Sequence, residues 1–192
     1  MKSSAKEIII LGLTLGIVSM IAALGLSITY SVTKPVITMQ IKLALEKAQK
    51  EIFPEATEFL QKEEMIEKVS GSTVIKDFFI VNGPDKQQMG YLVSATTPGY
   101  GGNILFIIGV SLDGTLKRVM VTEHTETPGL GANVTSKTFL EQFNNKKISD
   151  DFLVKKDVKA ITAATISSKA LTNGIKALID ISKTSLVGEV ND

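Results

Sequence analysis

Between Glu7 and Lys34 the chain runs for 26 residues, "IIILGLTLGIVSMIAALGLSITYSVT", without one charged side chain. A helix needs roughly 20 apolar residues to cross the hydrocarbon core of a bilayer, so this run is long enough to span. Its glycines and serines are ordinary in a membrane helix and poor in the core helix of a soluble domain. A cleaved secretory signal has a shorter apolar region, roughly 7–15 residues, and ends in a small-residue cleavage site. No clean site of that kind follows here, which favours an anchor over a signal. No carboxylate or lysine interrupts the run, so it offers no path for an ion. Lys2 and Lys6 precede it and Lys34, Lys42 and Lys47 follow. That near-balance leaves the positive-inside rule without a preferred orientation. The expected organisation is a short tail over 1–7, a transmembrane helix over 8–33 and one domain over 34–192.

The remaining chemistry is narrowed by what the chain lacks. It has no cysteine and one histidine, His124. That removes disulfides, thiolate zinc sites, thiol catalysis and cysteine-ligated iron–sulfur clusters, and argues against a multi-histidine metal or haem site. Redox work by such a chain would need an organic cofactor. A formal net charge of +1 gives no long-range attraction to nucleic acid.

Pro35 predicts a helix end at Lys34, because proline disfavours helical geometry in the residue before it. From Ile37 to Phe53 the apolar residues Ile41, Leu45, Ala48 and Ile52 recur at helical spacing, with Pro54 as a stop, and predict an amphipathic helix facing a core. Beyond Thr73 the pattern becomes β-rich. "TVIKDFFIV", "GYLVSAT", "NILFIIGVS" and "LKRVMVTEH" are separated by the turn signals "NGPD", "TPGYGG" and "LDGT" and predict a meander of about four antiparallel strands. "TSKTFLEQFN" predicts a short helix. A last helix is predicted from about Ile166 to Ser182, with Ala170, Leu171, Ile175, Leu178 and Ile179 on one face. The fold class expected is α+β, an antiparallel sheet with packing helices.

Three stretches carry candidate chemistry. "TTPGYGGNI" and "HTETPGLGANV" are Gly-rich loops at strand ends, where backbone can approach a flat ligand and Tyr100 or Leu130 can cover a ring. Neither follows the strand–helix pattern of a dinucleotide fold. In "ITAATISSKAL" the hydroxyls of Thr162, Thr165, Ser167 and Ser168 crowd a helix start. A hydroxyl there is either a plain N-cap or part of a phosphate site, since free N–H groups and the positive end of the helix dipole gather at that end. Locally the cap is the commoner outcome.

The order of membrane helix, amphipathic helix ending in Phe-Pro, "PGYGG", "HTETPGLG" and "ITAATISSKAL" resembles the G subunit of the Rnf electron-transport complex. That family is similar to the C subunit of the sodium-pumping NADH:quinone reductase. The resemblance implies a flavoprotein subunit that relays electrons in an ion-translocating ferredoxin:NAD oxidoreductase. The resemblance also implies FMN carried through a phosphoester made by a flavin transferase. Thr162-Ala163-Ala164-Thr165 aligns with the family's Ser/Thr-Gly-Ala-Thr, with Ser167-Ser168 as its tail, so Thr165 is the implied attachment residue. Glu126, Thr127, Pro128, Gly129, Leu130 and Gly131 are implied to lie against the flavin, with Tyr100 and Gly101 nearby. Ala163 replaces the family's usual glycine. Lys159 replaces a common aspartate and offers a charge to neutralise phosphate. The implied partners are the other subunits of the complex, the transferase and membrane lipid, with the FMN domain outside the cytoplasm. The alternatives are the quinone-reductase C subunit and an anchored, non-redox binding or assembly module.

Overall fold

The computed structural model of the protein describes residues 5–188. The chain divides into two compact units, Met1–Leu43 and Ala44–Asp192. The first helix, α1, spans Ala5–Ile52 and contains Pro35 in its interior. It is the one helix among the described residues long and apolar enough to cross a membrane. The predicted stop at Lys34 is therefore overturned. Proline removes one hydrogen bond, to the carbonyl four residues back, but the Ala-, Leu-, Glu-, Lys- and Gln-rich sequence that follows propagates helix strongly enough to continue through it.

The second unit is built on six strands. They are β1 (Glu58–Gln61), β2 (Val69–Ser70), β3 (Thr73–Asn82), β4 (Gln88–Pro98), β5 (Asn103–Ser111) and β6 (Leu116–His124). The order is β1-β3-β4-β5-β6, with β2 also paired to β3, and every pairing is antiparallel. The four predicted strands are β3 to β6. β1 and β2 are too short and polar to announce themselves by alternation. Two further helices follow: α2 (Lys137–Leu140), extended by a 3-10 turn over Glu141–Phe143, and α3 (Thr165–Gly188).

Alternation along the central strands divides the core between two faces, as a pleated sheet covered on both sides requires. Tyr91, Val93, Ala95, Ile104, Phe106 and Ile108 pack with Leu171, Ile175, Leu178 and Ile179 of α3. On the opposite face Leu92 and Ile107 pack with Ala48, Ile52 and Phe53 at the end of α1. A Cβ at Gly109 would collide with Ile52, so glycine there seats the end of α1 on the sheet.

The segment joining α2 to α3 carries positive φ at Asn145, Phe152, Lys155 and Ala163. Phe152 is fully buried at φ 50°, a geometry that persists only where neighbours fix it. Asp157 supplies that fixing. Its carboxylate accepts the N–H groups of Leu153 at 2.6 Å and Phe152 at 2.9 Å and pairs with Lys146 Nζ at 3.0 Å. Burial pushes the Asp157 carboxyl up, but the Leu153 N–H, the Lys146 ammonium and the Phe152 N–H together hold it below the ordinary 3.8. A carboxyl depressed in the folded state contributes stability that is fully present above its unfolded value. That contribution fades as pH falls from about 5 through the folded-state value. Asp157→Asn is expected to destabilise the domain by about 1–3 kcal/mol at neutral pH, from the lost charged hydrogen bonds. It should also flatten the acid limb of stability below about pH 5. Denaturant melts at a series of pH values check both.

Candidate functional site

Three chain segments converge beside the start of α3. The first is the β4–β5 loop, closed by Gly99 N–H donating to Gly102 O at 2.7 Å. The second follows β6. There Leu130 N–H donates to Thr127 O at 3.2 Å around Pro128-Gly129, with Gly129 at φ 76°. Proline at the second position and positive φ at the third give a type II turn, and Pro-Gly is the pair that turn favours. The third segment is the turn Ile161–Ala164, closed by Ala164 N–H to Ile161 O at 3.1 Å. It has the same sign pattern, but the third position is Ala163, at φ 61°.

The helix itself begins at Thr165, and the Ala164 carbonyl accepts its first intrahelical bond, from Ser168 N–H at 3.0 Å. Ala164 thus holds the cap position and Thr165 the first helical one. The four crowded hydroxyls now separate. Ser168 Oγ accepts Ile161 N–H at 3.0 Å and donates to Ala164 O at 2.9 Å, which fastens the turn to the helix. Ser167 Oγ donates to Glu126 Oε2 at 2.8 Å. Among the described residues neither Thr162 nor Thr165 uses its hydroxyl in a hydrogen bond. Thr165 therefore does not act as an N-cap.

A cavity of about 440 Å³ opens between these segments, lined by Tyr100, Glu126, Thr127, Leu130, Gly131 and the run Ala163–Ser167. Its size falls within the range of small-molecule sites. Nine of the candidate residues line it: Thr165, Ala163, Ala164, Ser167, Glu126, Thr127, Leu130, Gly131 and Tyr100. Five do not. Thr162 belongs to the Ile161–Ala164 turn, Ser168 to the first turn of α3 that braces it, and Pro128 and Gly129 form the turn beside the cavity. Gly101 packs on the backbone of Thr125, where a Cβ would stand 2.6 Å from the carbonyl oxygen. Lys159 is exposed and outside the cavity wall, so its side chain is not placed to neutralise an occupant. Its main chain pairs instead with Gln142, donating to Oε1 at 2.8 Å and accepting from Nε2 at 3.3 Å. His124 orients the loop, its Nδ1 accepting Glu126 N–H at 3.3 Å.

Ile166 also lines the cavity, 58% exposed, and the sequence reading passed over it. The available signal was an isoleucine out of register with the buried stripe Leu171, Ile175 and Leu178. The wall is thus apolar at Leu130, Ile166 and Tyr100. It also has an unengaged hydroxyl at Thr165, and the first amides of α3 have no intrahelical acceptor. Those features fit a flat ring carrying a phosphate at a helix start.

Residues 99–180 match the FMN-binding domain family, a span that contains every residue lining the cavity. Residues 1–52 match the RnfG N-terminal region, which ends where α1 ends. The chain is 34% identical over 187 residues to the G subunit of the ion-translocating oxidoreductase complex of Methanosarcina acetivorans, covering 93% of this chain and 96% of that one. The chain belongs to the G-subunit family of ion-translocating oxidoreductase complexes. The G subunit of the proton-translocating ferredoxin:NAD(+) oxidoreductase complex of Clostridium ljungdahlii is 32% identical, with 86% of each chain covered. The Na(+)-translocating counterpart of Acetobacterium woodii is 29% identical, with 92% of each covered. Among solved structures, the C subunit of the Na(+)-translocating NADH-quinone reductase from Parabacteroides distasonis overlaps with a TM-score of 0.49 at 22% identity. The overlap covers 77% of this chain and 84% of that one.

Within this family the alanine at position 163 has a physical consequence. An L-residue in the left-handed region costs about 1–2 kcal/mol, and glycine is free of that strain. Glycine gives back about 0.4–1 kcal/mol through the flexibility of the unfolded chain. Ala163→Gly is therefore expected to stabilise the domain by about 0.5–1 kcal/mol and to raise Tm by about 2 °C. Calorimetry of the detergent-solubilised chain checks it. An unchanged or lower Tm would mean that the turn does not hold position 163 at positive φ.

Proposed function

We propose that this chain is the membrane-anchored, flavin-carrying electron-transfer subunit of an ion-translocating ferredoxin:NAD oxidoreductase complex, with FMN joined through its phosphate to Thr165 Oγ1. G-subunit relatives over most of the chain and the FMN-binding domain match support the electron-transfer flavoprotein role. One observation supports the attachment point. Of the four hydroxyls in the motif, Thr165 alone both lines the cavity and is unengaged. When bound, FMN supplies a centre that takes and passes electrons singly or in pairs. The chain's own residues do the rest. The open amides at the start of α3 and its dipole stabilise negative charge beside Thr165. Ser168 holds the turn that presents Thr165. Leu130 and Ile166 offer apolar surface that limits water around an occupant.

Digestion of the purified chain and mass analysis test the attachment. The peptide containing Thr165 should carry the mass of FMN less one water, and the denatured, washed protein should stay yellow. A colourless wild-type chain would leave the anchored, non-redox module as the better reading. Co-purification with other membrane subunits tests the assembly, and maturation should require a flavin transferase.

The uncharged run within α1 is proposed as a single-pass anchor in the cell membrane, with the domain beyond it outside the cytoplasm. Flanking charge does not decide this, so the expectation rests on the family resemblance. Protease added to sealed cells should cut exposed loops of the domain. Protection in sealed cells with cleavage only after lysis would reverse the orientation.

A further inference from the structure

Glu126 lines the cavity yet is only 4% exposed. A carboxylate is costly to bury unless its oxygens are satisfied. Here both are: Oε1 accepts Tyr100 N–H at 2.7 Å and Oε2 accepts the Ser167 hydroxyl at 2.8 Å. The surroundings are shaped to the carboxylate. A Cβ at Gly99 would collide with Oε1, and one at Gly131 with Oε2. One side chain therefore joins two of those segments, the β4–β5 loop and the loop after β6, to the first turn of α3. It is also the sole charged side chain among the described residues that line the cavity.

We propose that Glu126 is a positioning residue that clamps the two loops and the start of α3 around the cavity and, by its charge, holds down the midpoint potential of the flavin bound there. The second effect rests on the flavin reading above; the clamp does not. Reduction brings electrons into the cavity, and a fixed negative charge in a partly enclosed wall opposes that with little screening. No lysine or arginine among the described residues lines the cavity to offset it.

Two substitutions separate the effects. Glu126→Gln has the same shape. Its amide oxygen accepts the Tyr100 N–H, and its amide group donates to Ser167 Oγ, whose own proton turns away. Glutamine therefore keeps the bridge and removes the charge. Glu126→Ala removes both. Hydrogen exchange at the Tyr100 amide, followed in the full chain in detergent on a Thr165→Val background, reads the clamp. Glu126→Ala should speed that exchange at least about tenfold, and Glu126→Gln should leave it near the Glu126 rate. Potentiometric titration of the flavinylated chain reads the charge. Glu126→Gln should shift the reduction equilibrium toward the reduced form about tenfold, about 30 mV upward for a two-electron couple. Tyr100 exchange unaltered in Glu126→Ala overturns the clamp, and an unmoved potential in Glu126→Gln overturns the electrostatic role. A wild-type chain without flavin overturns the Thr165 reading and with it the electrostatic role. The exchange measurement then still decides the clamp.

Discussion

Thr165→Val is expected to give a folded, membrane-bound chain with no covalent flavin. A phosphoester needs a hydroxyl oxygen, and valine replaces that oxygen with a methyl group of nearly the same shape. The structural consequence should be small. The Thr165 hydroxyl makes no hydrogen bond among the described residues and the side chain is half-buried, so stability should stay within about 0.5 kcal/mol of wild type. The chemical consequence should be complete, because no other hydroxyl of the motif is both unengaged and on the cavity wall. Ser167 Oγ is engaged by Glu126, and Ser168 Oγ by Ile161 and Ala164. Thr162 is unengaged but lies outside the cavity wall, so Thr162→Ala should keep its flavin. Intact mass and the spectrum of denatured protein read both variants, and electron flow through the complex should stop in the first. Flavin retained in Thr165→Val, or found on Thr162 after digestion, would show that the motif is aligned wrongly.

The central sheet was open to sequence reading because its strands are long and strongly apolar. β3 to β5 each bury side chains on both faces and β6 buries Leu116 and Val119 on one, and Gly-Pro or Asp-Gly signals separate most of them. β1 and β2 are edge pieces of four and two residues. Their place is set by pairing to β3, a tertiary fact with no local signature. Pro35 misled for a related reason. A local rule against helix at the preceding residue competes with the good helix formers that follow, and in α1 those prevail.

The site was legible in its parts and not in its division of labour. The two Gly-rich loops and the hydroxyl cluster stood out by composition. Spacing alone gave no means of telling an engaged hydroxyl from an open one. That distinction came from Glu126, which reaches Ser167 across 41 positions of sequence, and from the turn that lets Ser168 meet Ile161. Lys159 shows the opposite limit. Its charge looked useful beside a phosphate, but the backbone pairing with Gln142 leaves its side chain exposed and outside the cavity wall.

Ala22→Arg is expected to weaken membrane insertion strongly. Ala22 lies near the middle of the 26 residues between Glu7 and Lys34. Arginine at the centre of a spanning helix costs about 2.5–3.5 kcal/mol on the translocon scale. At about 1.4 kcal/mol per factor of ten, that lowers the insertion equilibrium by roughly two orders of magnitude. The effect should depend on position, since arginine nearer Lys34 can carry its charge to the interface along its own aliphatic stem. Ala23→Leu adds apolar surface and should be tolerated where that face meets lipid. Alkaline extraction of membranes from cells making the chain without its partner subunits gives the reading. Wild type and Ala23→Leu should stay in the pellet, and a measurable share of Ala22→Arg should be released. If Ala22→Arg stays in the pellet as fully as wild type, the uncharged run is not what holds the domain to the membrane, and the anchor assignment falls.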